Sequence, residues 1–277
     1  MKKAFILIVT LFTLLWLTGC AMAPKPAAAP VPAPETEIRI DEAFVEGGTF
    51  RMGDAWEGEN PDGKIVHSVT LSGFYLGTHE VTQALYRRVM GNNPSAAQGD
   101  DLPVESVTWY EAVEFCNRVS DALGLQKVYT VSGTEVRADF TRNGYRLPTE
   151  SEWEYAARSR GRDDRQWSGT NKESGIEEYA WYYWDDPAPH PAGMKKPNEL
   201  GLYDMTGNVE EWCWDWYGPY TKAGKTDPKG PASGKYRVAR GGAWNWDADY
   251  SRTARRDGFT PDKRYEVLGF RVARNGR

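Results

Sequence analysis

The chain's only thiols are three cysteines, and its only imidazoles are three histidines. His67, His79 and His190 stand far apart and match no metal-binding spacing, and no CxxC pair is present. Cys116 falls in the run Val107–Val119, whose apolar positions recur at helical spacing, so it reads as a buried structural thiol. Cys116 and Cys213 are also the two thiols that an oxidising compartment could join, which spacing alone leaves open. What the chain holds in quantity is aromatic rings: 13% of its residues, including twelve tryptophans. Toward the C-terminus they mix with aspartate and small hydroxylated residues, as in Trp246-Asp247-Ala248-Asp249-Tyr250-Ser251. Rigid rings give contact area at low entropic cost, and Ser, Thr and Asp adapt their hydrogen bonds. That mixture suits binding.

The 277 residues carry 34 Lys+Arg against 39 Asp+Glu, a net charge of −5, and 40% are hydrophobic. So many rings exclude long disorder, and the acidic balance excludes a dedicated nucleic-acid binder, so no nucleic acid is expected as a partner.

The elements that must position these residues read as α+β with a high irregular fraction. Val69–Leu76 suggests a strand pair around Gly73. Thr82 caps a helix running to Met90, Ser106 or Thr108 opens a second through Leu123, and Thr149-x-x-Glu152 is a capping box opening a third through Arg158. Beyond it, Gly-, Pro- and Asp-rich loops alternate with short aromatic runs, and broad rings that also hydrogen-bond are suited to packing such loops.

Residues 1–19 have the form of an export signal: Lys2 and Lys3, an apolar run from Ala4 to Leu17, then Thr18-Gly19. The run is shorter than the ~20 residues that span a bilayer. Leu17-Thr18-Gly19-Cys20 resembles the bacterial lipoprotein box, which implies lipidation at Cys20; the alternative is an ordinary secretory signal followed by a chance cysteine. Ala21 after it resembles the pattern sent to the outer membrane. Residues 20–40 then form a Pro/Ala-rich tether of extended conformation, and residues 41–277 form one domain. The expectation is a lipid-anchored bacterial outer-membrane protein, surface-exposed, touching the membrane through its anchor only.

Gly47-Gly48-Thr49-Phe50-Arg51-Met52-Gly53, the run Tyr145–Arg158 (YRLPTESEWEYAAR), Asn198–Trp212 (NELGLYDMTGNVEEW), Arg240-Gly241-Gly242-Ala243-Trp244 and Gly269-Phe270-Arg271 resemble, in order, the motifs of the formylglycine-generating-enzyme-like superfamily. The resemblance spans about residues 45–273 and implies that superfamily's elaborated C-type-lectin-like fold.

Function rests on the site residues rather than on the fold. The enzymes of the superfamily oxidise a substrate cysteine with two cysteines that bind copper, soft thiolates suiting Cu(I). The positions matching those cysteines are Trp246 and Ser251, neither of them a copper ligand. The histidine-ligated iron of the sulfoxide-synthase relatives finds no counterpart either. The chain therefore reads as a non-enzyme without copper. The resemblance also implies a structural calcium ion, held by the side chains of Asp204 and Glu211 and the carbonyls of Gly207 and Val209, a hard-oxygen set.

Gly241–Arg271 is similar to the variable region of diversity-generating retroelement proteins, in which adenines of Asn codons are randomised, and closely resembles that of the treponemal variable lipoproteins. Asp247, Asp249, Tyr250, Ser251, Thr253, Asp257, Gly258, Phe259, Thr260, Asp262 and Tyr265 are all reachable from an Asn codon in this way; Trp246, Lys263 and Glu266 are not. The expected ligand-binding residues are Trp246, Asp247, Asp249, Tyr250, Ser251, Thr253, Asp257, Phe259 and Tyr265, with the stretch from Asp247 to Tyr265 largely exposed and an extracellular protein as ligand. From Arg237 onward ten Lys+Arg face five Asp+Glu. Arg252, Arg255, Arg264 and Arg271 fall on scaffold positions and read as structural ion-pair partners. The alternative to a diversified binding protein is an invariant accessory envelope lipoprotein; an oxidase ranks third.

Overall fold

The computed structural model describes residues 38–56, 63–183 and 188–276. The export signal, Cys20 and the tether as far as residue 37 lie outside them. Ile38 and Ile40 already pack on the core, so packing begins at residue 38 rather than 41.

The first half of the chain gives β1 (Glu42–Val45), β2 (Gly48–Met52), β3 (His67–Leu71), β4 (Phe74–Gly77), α1 (Gln83–Met90) and α2 (Trp109–Ala122). Next come β5 (Tyr129–Ser132), β6 (Glu135–Ala138) and α3 (Glu150–Ala157). The C-terminal part gives β7 (Glu210–Trp216), β8 (Lys225–Thr226), β9 (Arg237–Arg240), β10 (Asp257–Phe259), β11 (Leu268–Gly269) and β12 (Ala273–Asn275). All three helices start where the sequence places them. Thr82 Oγ1 accepts from Leu85 N at 3.3 Å, and Thr108 and Thr149 complete reciprocal capping boxes with Glu111 and Glu152.

The strands between Val69 and Leu76 exist, but they do not pair with each other. β3 joins β2 and β8, whereas β4 lies between β1 and β12. Ser72-Gly73 is therefore a corner between two sheets. A side chain at Gly47 would come to 2.5 Å from the Leu71 carbonyl, and one at Gly73 to 2.9 Å from the Phe44 ring. The two corners nest on bare backbone, and that close approach diverts the strands into separate sheets.

α2 buries Trp109, Ala112, Val113, Phe115, Cys116 and Val119 along one stripe. Cys116 is a buried thiol, as its helical spacing indicates, and Cys213 on β7 is another; both are free. Trp109, Trp153 and Trp212 are fully buried scaffold rings.

α3 is enclosed on every side, although three of its eight residues are glutamates. Arginines enclose it. Arg146 donates Nη1 and Nη2 to Glu152, each at 2.7 Å. Arg256 donates to Glu150 at 2.6 and 2.9 Å, and Glu154 receives Arg158 at 2.9 Å together with Arg240. The C-terminal arginines are thus mostly interior cations. Arg252 lies buried 3.6 Å from Asp54, and Arg271 pairs with Glu211; the more exposed Arg264 pairs with Glu111.

Arg237 is held differently. Its guanidinium lies 3.7 Å from the ring centre of Trp109 and 3.6 Å from that of Trp216, and burial lowers its pKa to about 10. It anchors β9 at the centre of the sheet β10-β9-β7-β11, which carries the C-terminal segment.

Candidate ligand-binding cleft

β9 ends at Arg240, and Gly241-Gly242 turns the chain into an irregular segment. The Trp244 amide is fixed to the Asn208 carbonyl at 2.8 Å and the Trp246 amide to the Ala243 carbonyl at 3.0 Å. A single 3-10 turn, Ala248–Ser251, follows, and β10 then returns antiparallel to β9 with Asp257 opposite Ala239 and Phe259 opposite Arg237.

That turn sorts its residues by side. Asp247, Asp249 and Tyr250 point outward and are exposed. Ser251, Arg252, Thr253 and Ala254 are buried and fasten the segment to the domain. Thr253 Oγ1 donates to the Arg165 carbonyl at 2.7 Å, and its amide donates to the Gln166 carbonyl at 2.8 Å. Ser251 packs behind Gly242, where φ is +72° and an added Cβ would lie 2.3 Å from Ser251 Oγ.

Two of the expected ligand-binding residues lie inside. Ser251 closes the turn on its buried side, and Thr253, two residues beyond the turn, is buried against the Arg165 and Gln166 carbonyls, so neither lines the cleft. The stretch Asp247–Tyr265 is accordingly not largely exposed; it alternates between buried fasteners and surface.

The outward residues frame an open cleft of about 800 Å³. Trp246, Asp247, Tyr250, Asp257 and Phe259, five of the residues expected to bind a ligand, line it. Trp246 and Tyr250 meet edge to face, ring centres 6.1 Å apart. Asp249 is exposed just outside the lining, and Tyr265 lies behind Phe259 at 4.8 Å as support for it.

Sequence reasoning missed Tyr183, Asn245 and the cleft role of Arg255, and it placed Gly258 among the variable positions but not among the ligand-binding residues. Tyr183 is 57% exposed, and its amide donates to the Trp246 carbonyl at 3.2 Å. Its signal was the aromatic run Trp181-Tyr182-Tyr183-Trp184, remote in sequence from the C-terminal segment. Arg255 was read as purely structural. It does pair with Asp257, donating Nε at 3.2 Å and Nη2 at 3.1 Å, but it also lies 4.7 Å from the Tyr250 ring centre at the cleft floor. Beneath this pair Glu210 is fully buried. Its pKa is raised by burial and by Asp257, and its carboxylate oxygens have no hydrogen-bond partner among the described residues.

Of the side chains expected to hold calcium, Glu211 already has a cationic partner. Glu211 is fully buried, with Oε1 receiving Arg271 Nη2 at 2.6 Å and Oε2 receiving both Arg271 Nε and Trp153 Nε1 at 2.7 Å. A cation there would have to displace a guanidinium that already neutralises the carboxylate. Asp204 is buried near Glu211 and Arg271, and its Oδ2 accepts from the Gly193 amide at 2.6 Å. Among the described residues no three His, Cys, Asp or Glu side chains are arranged to hold a metal.

Comparison with known proteins agrees with this architecture. A family model described as a sulfatase-modifying factor enzyme 1-like domain matches residues 27–276. The chaperone protein LppX of Paenibacillus barcinonensis is 37% identical over 244 residues, covering 76% of this chain and 80% of that one. The formylglycine-generating enzyme of Streptomyces coelicolor is 31% identical over 299 residues, covering 91% and 95%. The solved structure of Treponema denticola variable protein 1 aligns with a TM-score of 0.80 at 37% identity, covering 85% of this chain and 95% of that one. With its motifs, its fold and these relatives in agreement, the chain belongs to the formylglycine-generating-enzyme-like (sulfatase-modifying factor) family and has that family's α+β, C-type-lectin-like fold.

Proposed function

We propose that this protein is a surface-displayed lipoprotein, anchored in the outer membrane through Cys20, whose C-terminal cleft binds an extracellular protein ligand and catalyses nothing on it. The observation that carries the reading is the state of the two positions matched to the enzymes' cysteines. Trp246 presents a ring to the cleft, and Ser251 is sealed behind Gly242. The thiols at Cys116 and Cys213 lie in the core, their pKa values raised by burial, far from the state a copper thiolate needs. Among the described residues no helix is long and apolar enough to cross a membrane. The 37% identity to a treponemal variable protein supports a diversified face.

Sequencing the gene across isolates tests this. Substitutions should concentrate at outward positions such as Asp247, Asp249, Tyr250 and Asp257, with Ser251–Ala254 unchanged; an invariant cleft would overturn diversification. That second outcome supports the other reading, an invariant accessory lipoprotein of the envelope, which the 37% identity to a relative named as a chaperone protein favours.

A further inference from the structure

The charges and rings of the cleft narrow its ligand, granted that the cleft is a ligand site at all. Among the described residues, three charged side chains line it: Asp247, Asp257 and Arg255. Arg255 is balanced from inside, in a fork with Asp257, over the Tyr250 ring, and with Glu210 beneath. Asp247 is exposed at the rim and has no ion-pair partner among the described residues. The described lining therefore carries one excess negative charge, next to Trp246, Tyr250, Tyr183 and Phe259. Aromatic faces attract cations and repel anions, and their flat surfaces also pack on methylene stems.

We propose that the cleft receives a lysine or arginine side chain presented by a protein ligand, its stem lying on the Trp246 and Tyr250 rings and its charged head meeting Asp247. The width of the cleft favours a side chain carried on a backbone over a free amine, because an open site of about 800 Å³ would leave a small amine mostly solvated. Asn245, exposed on the same lining, offers both a donor and an acceptor to the flanking peptide groups. Glu210 adds negative potential beneath the floor whenever it ionises.

The test uses the full chain with fluorotryptophan, reading the Trp246 resonance, which is assigned by its disappearance in Trp246→Phe. The probes are capped pentapeptides Gly-Gly-X-Gly-Gly at millimolar concentration, with X as Lys, Arg, Nε-acetyl-Lys or Glu. Lys and Arg peptides should shift the signal, with acetyl-Lys and Glu at least about tenfold weaker. Asp247→Asn should weaken the Lys peptide about fivefold, and added salt should weaken it further. Equal binding of Lys and acetyl-Lys overturns the cation assignment, as does a preference for Glu. A neutral disaccharide that shifts Trp246 when the basic peptides do not also overturns it, while leaving the cleft a ligand site. If no probe moves Trp246, the cation assignment falls. If, in addition, cells displaying wild-type protein and the Trp246→Ala variant capture the same partners, the ligand-site reading falls with it.

Discussion

Arg271 meets Glu211 edge on, Nη2 2.6 Å from Oε1 and Nε 2.7 Å from Oε2, with both side chains fully buried. This one pair links the closing Gly269-Phe270-Arg271 motif to the Asn208–Trp212 motif, and it occupies the carboxylate that a calcium ion would need.

Breaking it should be costly. Arg271→Ala leaves Glu211 buried and uncompensated, and is expected to lower stability in urea by about 3–5 kcal/mol. Because Arg271 already neutralises Glu211, a chelator should leave the melting temperature of the wild-type protein unchanged. A chelator-dependent fall in melting temperature would show that a cation is bound after all.

Arg237 lies between Trp109 and Trp216 with no carboxylate in its ion-pair shell among the described residues. Planar stacking is something lysine cannot supply. Arg237→Lys should therefore destabilise by about 1–2 kcal/mol and Arg237→Ala by more, measured by denaturant unfolding. An Arg237→Lys variant as stable as wild type would refute the stacking argument.

Gly242 combines a positive φ with contact against Ser251. Gly242→Ala should cost at least about 2 kcal/mol from backbone strain and overlap together. Adding Ser251→Gly removes the clashes with Oγ and Cβ but leaves the strain and the Ser251 Cα at 2.7 Å, so the double variant should recover only part of the loss.

Asp215 sets a pH dependence. It lies beside a cavity shared with His67, Tyr220 and Arg256, and its Oδ2 accepts from the Glu150 amide at 2.8 Å. Burial, then the Glu150 charge, raises its pKa from 3.8 to about 8. A raised folded-state value means that its contribution is complete below pH 3.8 and is lost as pH climbs through about 8. Glu80 and Glu210, likewise pushed up by burial, act in the same direction. Stability should fall from about pH 4 to pH 8, and Asp215→Asn, which resembles the protonated acid, should flatten the slope.

How far these features were legible depended on whether their cause was local. Thr149 with Glu152 announces its helix because a capping box is complete within four residues; the structure decides between Ser106 and Thr108 in favour of Thr108, boxed with Glu111. The partners of β3 and β4 were not legible, since the corner between them depends on Gly47 and Phe44, far back in the chain. Nor does ESEWEYAA show that it will be buried on every face; that rests on arginines 146, 240 and 256, brought in from other elements. At the cleft, residue types pointed to the segment that lines it. Only the geometry of the Ala248–Ser251 turn separated Tyr250, which faces out, from Ser251, which faces in. Tyr183 could enter the site only through the fold, because its link to Trp246 is a backbone hydrogen bond between distant loops.

The burial of Cys116 and Cys213 gives the domain a chemical blank surface. Both thiols are inaccessible and held protonated by burial, so maleimides and disulfide reagents have nothing to attack among the described residues. A cysteine introduced by Asp247→Cys would therefore be the sole addressable handle of the folded domain, seated on the rim of the cleft. A photocrosslinker attached there would tag covalently whatever docks beside Trp246, so an unknown binding partner could be caught in place.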